Sequence, residues 1–287
     1  MKFMINNTNT SKELDNSIKV AELADDLGFH AFLMPDHYMW GEDNIFGNST
    51  METWITLSHI ASKTSRIKVG SLVTPIPFRP PGMLAKMLST IDILSNGRVI
   101  LGVGAGWSQA EFEGYSEWSD AKTRVEKTEE GVRLILDLWK KPKVDFHGKY
   151  YTAKGAVLDP KPIQKPHPPL LFGGANRGGI KMLKMAGKYG DICYIPPQVS
   201  ELVDGGFERA VAIVKESAKE AGRGDKIKFG WDGVGGRPVE MSPQERLKKI
   251  QDASQNGAEY FLIHFPRDDS KFDQIKAFGK DVIPSFS

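Results

Sequence analysis

The chain has 287 residues, 40% of them hydrophobic, with 38 Lys and Arg against 36 Asp and Glu and a formal net charge of +2. That near-balance argues against a nucleic-acid footprint or a polybasic membrane surface. Nothing approaches the roughly 20 apolar residues of a membrane span. The single cysteine, Cys193, cannot form an internal disulfide, which fits a reducing cytoplasm. Met1–Thr10 has no apolar core of signal-peptide length.

Strand and helix patterns alternate along the whole chain. Lys2–Asn6 reads as a strand and Ser11–Leu27 as a helix stopped at Gly28. Strand Ala31–Met34 and helix Met51–Lys63 follow, then strand Ile67–Val73 and helix Pro81–Leu94, which opens on a proline suited to a first turn. The turn pair Asn96-Gly97 introduces the buried strand Val99–Val103, which opens into glycines at 102, 104 and 106. Their G-x-G-x-G spacing is not a dinucleotide fingerprint, and Ser108–Ser119 is too polar and aromatic to read as a following helix. This glycine-rich end is expected to face a ligand.

The fourth helix is Arg124–Trp139. Four further pairs are Leu170–Phe172 with Gly179–Tyr189, Ile192–Ile195 with Glu208–Ala221, Ile227–Trp231 with Pro243–Asn256, and Tyr260–Phe265 with Ser270–Phe278. Eight such units predict a (β/α)8 TIM barrel forming one domain over residues 1–287, with an open doubly wound sheet as the rival. One segment interrupts the rhythm between the fourth helix and fifth strand. Lys143–Leu158 reads as a β-hairpin around His147-Gly148, and Asp159–Pro169 carries five prolines that make a stiff, extended connection.

Barrel chemistry belongs at the C-terminal ends of the strands. Those ends offer Asn6 and Asn7, Asp36 and His37, Ser71–Thr74, Gly102–Trp107, Gly173 and Gly174, Ile195, Asp232 and His264. His37, beside an acid, is suited to proton transfer; the bland reading is a capping Asp and a solvated His. For His264, packing and a site role stand level. His30, His59, His147 and His167 read as structural or surface residues. No metal-ligand spacing and no nucleophile elbow occur, and Cys193 lies mid-strand. Phe172–Gly179 is a glycine-rich turn into a helix, suited to a phosphate that Arg177 would pair with, or merely a tight turn. Pro75–Pro81 is a rigid turn holding Arg79 near the same rim. Met34, Tyr38, Met39, Trp40, Phe46 and Trp107 gather at the ends of strands 2 and 4, where they suit a flat ring system.

Asp36-His37, Gly70–Arg79, Leu94–Trp107, Gly148–Tyr151, Pro160–Pro169 and Leu171–Gly174 together resemble the bacterial luciferase-like superfamily, in order and spacing, from residue 1 to about 195. The resemblance implies a TIM barrel with an insertion of this kind, an oxidoreductase using coenzyme F420 or reduced FMN, a small-molecule substrate and a homodimer. The details are more similar to the F420-dependent branch. Carried over by position, His37 is the proton donor or base and Asp36 contacts the cofactor. Ser71, Leu72 and Val73 lie behind its ring, with Leu72-Val73 where many relatives have a non-proline cis peptide. Gly104, Ala105, Gly106 and Trp107 border the ring, and Gly173 and Gly174 take the phosphate. Trp40 lies close to a tryptophan that lines the substrate pocket in sugar-phosphate-oxidising members. Arg177, from the turn's own chemistry, and His264, from its place at the end of the last strand, are the further phosphate and substrate candidates. Ala105 replaces the glutamate of sugar-phosphate-oxidising members, with Glu111 and Glu113 outside that position, and Pro196-Pro197-Gln198 replaces their phosphate-gripping lysine. Glucose 6-phosphate is therefore disfavoured. The expected activity is hydride transfer between a deazaflavin and a small organic substrate. The rivals are a reduced-FMN-dependent monooxygenase and a cofactor-binding protein without catalysis.

Overall fold

The computed structural model describes residues 1–39, 49–173, 179–196, 206–232, 243–266 and 268–286. Eight strands are parallel to their neighbours: β1 (Lys2–Asn6), β2 (Ala31–Met34), β3 (Lys68–Ser71), β5 (Val99–Gly104), β8 (Leu170–Gly173), β9 (Ile192–Ile195), β10 (Lys228–Asp232) and β11 (Ala258–Ile263). They run in the order β3-β2-β1-β11-β10-β9-β8-β5, and pairing of Val69 and Gly70 with Val99 and Ile100 closes the ring. The closed parallel barrel is the expected (β/α)8 architecture. A two-residue strand, β4 (Thr74–Pro75), adds to the outer end of β5.

Helices cover the barrel because their apolar residues recur on one side. In α1 (Leu14–Asp26) the buried positions Ser17, Val20, Ala21 and Ala24 follow the i, i+3, i+4, i+7 spacing of one helix face. The chain then turns through Gly28 at φ +81°. α2 (Thr53–Lys63) is capped by the Glu52 side chain, which accepts the Ile55 N–H at 2.7 Å. α3 (Pro81–Leu94) starts on proline, and α5 (Ala121–Lys140) starts on Asp120, whose carboxylate accepts the Thr123 N–H. α6 (Gly179–Tyr189), α7 (Gly206–Glu220), α8 (Pro243–Gln255) and α9 (Ser270–Asp281) complete the ring. The interrupting segment contains the hairpin β6 (Val144–His147) and β7 (Thr152–Ala156), followed by the proline-rich connection.

One expectation fails at the exit from β5. Residues Gln109–Tyr115 form a short helix, α4, where polarity argued against one. Phe112 is fully buried against Phe78 and Trp118, and burial of that ring adds to the helix-forming Gln109, Ala110, Glu111 and Glu113, which outweigh the polar look of the segment.

Alternation along the strands separates two cores. Outward-facing side chains pack under the helices. Inward-facing Met4, Ala31, Leu33, Ile100, Leu171, Ile192, Tyr194, Tyr260 and Leu262 fill the barrel. Leu72 and Val73 pack on top of that interior cluster. Among the described residues no helix is long and apolar enough to cross a membrane, and no group of three or more His, Cys, Asp or Glu is placed to hold a metal ion.

Candidate functional site

The inward positions near the C-terminal end of the barrel include Gly102 and Gly104 on β5 and Gly173 on β8. A Cβ on Gly102 would lie 1.9 Å from the Ser71 carbonyl oxygen. One on Gly104 would lie 2.5 Å from Val73 Cγ2, and one on Gly173 would lie 3.1 Å from Val73 Cγ1. The close approach these glycines permit is therefore with the chain itself. They let Ser71–Val73 fold inward, so that Leu72 and Val73, both half-buried, floor the mouth. The Leu72–Val73 peptide bond is cis.

His37 follows β2 and lies on the rim of this floor, with its side chain 13% exposed. Its Nδ1 is 2.8 Å from Glu111 Oε2 on α4. The other carboxylate oxygen of Glu111 accepts the backbone N–H groups of Tyr38 at 2.9 Å and Met39 at 3.2 Å. From the opposite side, the Asn9 carboxamide donates to the His37 carbonyl at 2.9 Å. Trp107, 46% exposed, meets the imidazole edge-to-face at 5.7 Å between ring centroids. One glutamate thus grips both the imidazole and the backbone that carries it.

Asp36 is buried and its carboxylate is engaged by protein. Arg79 binds it through two nitrogens, at 2.7 and 2.9 Å, and Thr74 Oγ1 lies 2.8 Å from Oδ2. Trp54 Nε1 donates to that hydroxyl at 3.0 Å, and Ser71 Oγ is 2.8 Å from it. Arg79 also pairs with Glu52, and its guanidinium lies over the Tyr38 ring. Burial opposes the Arg79 charge, but Asp36, with Tyr38 and Glu52 acting in the same direction, holds the guanidinium above its ordinary range. Arg79 is thereby committed to Asp36 and Glu52 beneath the rim. Tyr38 stacks on Phe78 and leans on Tyr115, and burial pushes its phenol up to about 12.

Of the residues singled out from the sequence, His37, Leu72, Val73, Ala105, Gly106 and Trp107 are partly accessible around the mouth. Asp36, Ser71 and Gly104 are buried supports, and Gly173 is half-buried against Val73. His264 is half-buried just beyond β11. Trp40, Gly174 and Arg177 lie outside the described residues. Cys193 faces the helices, and burial raises its thiol to about 12, which disfavours a thiolate nucleophile. Glu111, named from the sequence only to be set aside, is the residue brought to His37. Ser108 and Glu111 have the S-x-x-E spacing of a helix start, a signal that marks α4, although the carboxylate turns to the 37–39 segment.

Asn6 adds a polar group to the barrel interior. Met4 belongs to the inner cluster and Ile5 to the outer one, so period-two alternation turns Asn6 inward, level with Leu33. Its Oδ1 is shielded from solvent and makes no hydrogen bond among the described residues.

A family model described as luciferase-like monooxygenase matches residues 1–238. The FMNH(2)-dependent dimethylsulfone monooxygenase of Pseudomonas putida is 32% identical over 175 residues, which is 60% of this chain and 47% of that protein. The chain spans about half the length of the curated relatives it matches. Among solved structures, an F420-dependent secondary alcohol dehydrogenase in complex with an F420–acetone adduct superposes with a TM-score of 0.80 at 22% identity, covering 100% of both chains. Monooxygenase RslO1 from Streptomyces bottropensis superposes with a TM-score of 0.82 at 20% identity, again over 100% of both chains. At those identities the two superpositions speak for the fold.

Proposed function

Because this chain belongs to the luciferase-like monooxygenase family, we propose that it is an oxidoreductase with a flavin-type cofactor in its barrel mouth. In the leading reading the cofactor is coenzyme F420 and the second reactant a small organic molecule. The deazaflavin, when bound, supplies the hydride chemistry that amino-acid side chains lack. The protein's part is to bind, orient, exclude water and move one proton. His37 is the residue for that proton, and Leu72 and Val73 offer an apolar surface for the flat ring. Trp107 closes the side next to the imidazole. The N-terminus of α6 at Gly179 is the proposed place for a phosphate.

The observation that carries this reading is the convergence of a held imidazole, an exposed indole and an apolar floor at one end of the barrel. The shielded Asn6 Oδ1, without a hydrogen bond among the described residues, fits the same ligand class. Flavins and deazaflavins share a pyrimidine edge with one N–H between two carbonyls, and a shielded acceptor in the mouth is matched by such a donor.

A second reading, a reduced-FMN-dependent monooxygenase, is favoured by the 32% identity to FMNH(2)-dependent enzymes. The same residues would then serve an FMN ring. Titrating the purified protein separately with coenzyme F420 and with FMN, followed by fluorescence, separates the two. Submicromolar binding of F420 with weak FMN binding supports the first; the reverse, with oxygen consumption in the presence of reduced FMN, supports the second. Binding of neither removes both. Turnover lost in His37→Ala with affinity retained argues against a protein that only carries its cofactor.

A further inference from the structure

We infer that Glu111 is a positioning residue that keeps the His37 Nδ1 protonated, so that every proton His37 exchanges passes through Nε2. The inference rests on the reading of His37 as the proton-transfer residue, but its physical content stands on geometry alone. Glu111 is 1% exposed, and its Oε1 is committed to the backbone N–H groups of Tyr38 and Met39. That leaves Oε2 as the atom facing Nδ1, at 2.8 Å. A carboxylate only accepts, so the Nδ1 that faces it carries the hydrogen in the neutral imidazole and in the imidazolium alike. Only Nε2 changes its proton between those two forms. The same carboxylate fixes the ring's position, because it bonds the two residues that follow His37, while Asn9 holds the His37 carbonyl. Glu111 thus does for His37 what a buried acid does for a catalytic histidine in other hydrolytic and redox sites, although it comes from a different strand's exit and 74 residues further along the chain.

The arrangement makes Glu111→Gln a discriminating substitution. The glutamine oxygen can still accept from Tyr38 and Met39, so the loop keeps its clamp. Its amide nitrogen then occupies the place of Oε2 and donates to Nδ1. Nδ1 must become the acceptor, and the proton of the neutral ring moves to Nε2. The fold is preserved and the tautomer is reversed.

The test is a long-range proton–nitrogen correlation spectrum of the cofactor-free protein labelled with nitrogen-15 in its six histidines, at a pH where His37 is neutral, with His37→Asn to assign its signals. Wild type is expected to show His37 protonated at Nδ1, and Glu111→Gln to show it protonated at Nε2 with an unchanged melting temperature. An Nε2-protonated His37 in wild type overturns the inference, as does the same tautomer in both proteins. The wild-type spectrum decides the matter even if the variant fails to fold. With reduced coenzyme F420 and acetone as probes, Glu111→Gln is expected to lower kcat about a hundredfold while the KM for acetone holds. Absence of turnover in wild type would remove acetone as a substrate and leave the tautomer result standing; the F420 reading itself is decided by the cofactor titration. Undiminished kcat in a variant whose tautomer has reversed would overturn the catalytic importance assigned to Nε2.

Discussion

The Arg79 guanidinium lies two-pronged on the carboxylate of Asp36, the residue immediately before His37, at 2.7 and 2.9 Å. Both partners are shielded, with Asp36 1% and Arg79 9% exposed at their side chains. Removing one partner from such a pair leaves a buried charge without compensation. Arg79→Met is therefore expected to cost about 3–5 kcal/mol of unfolding free energy. Lysine has one ammonium in place of the planar fork and should restore only a minor part. Urea denaturation followed by circular dichroism measures both variants. A loss below about 1 kcal/mol for Arg79→Met would show that the pair is not a support for the His37 segment.

The glycines under Ser71–Val73 predict a graded series. Gly102→Ala would place its Cβ 1.9 Å from a backbone oxygen, so the chain at Ser71 must move and soluble protein should be lost. Gly104→Ala would meet Val73 Cγ2 at 2.5 Å, a side-chain atom that can be removed. Gly173→Ala, at 3.1 Å from Val73 Cγ1, needs only a small shift and should cost the least. Adding Val73→Ala should recover part of the loss in Gly104→Ala but none in Gly102→Ala, giving a coupling of about 1 kcal/mol or more between residues 73 and 104. Strict additivity in that cycle, measured by thermal unfolding, would disprove the contact as the reason for glycine.

These two relationships show what could be read from the chain and what could not. The apolar runs and helical spacings fix β1, β2, β9, α3 and α6 to the residue, because each depends on neighbours in sequence. The last strand lies two residues earlier than Tyr260–Phe265, starting directly after Gly257 at φ +85°, with the burial alternation already running from Ala258. Asp36 looked available to a cofactor because Arg79, its partner, is 43 residues away. Glu111 looked peripheral for the same reason: nothing local announces a partner 74 residues distant. Periodicity is a local property of a sequence; the pairing of charges is a property of the closed barrel.

His30, at the other end of β2, gives a pH dependence of stability. Burial lowers its pKa from 6.5 to about 4, and Lys2 and Lys68 act in the same direction. The unfolded chain therefore binds more protons than the folded one between these values. Stability should be highest above pH 6.5 as far as this residue is concerned, fall as pH drops through that window, and reach its full penalty below pH 4. The penalty is about 3 kcal/mol at most for a shift of this size. In His30→Phe the slope of unfolding free energy against pH between 4 and 6.5 should flatten. An unchanged slope would mean that His30 protonates as readily in the folded protein as in the unfolded one.

Trp107, just before α4, and Tyr115, its last residue, are both exposed aromatic residues, yet they should behave differently. Trp107 is 46% exposed and edge-to-face with His37, whereas Tyr115 is 61% exposed and leans on Tyr38, on the side where Arg79 and Phe78 pack. A side chain exposed to this extent contributes little to folding, so Trp107→Ala should change unfolding free energy by no more than about 1 kcal/mol. If the indole closes the cofactor's mouth, its loss removes an aromatic contact and the area it covers. That should weaken cofactor binding about tenfold or more. Tyr115→Ala should leave the same dissociation constant within about twofold, because its ring supports Tyr38 instead. Fluorescence titration of both variants with coenzyme F420 and with FMN makes the comparison. Equal affinities for the two variants and wild type would place the ring-binding surface elsewhere on the rim, and with it the partner that His37 is held to serve.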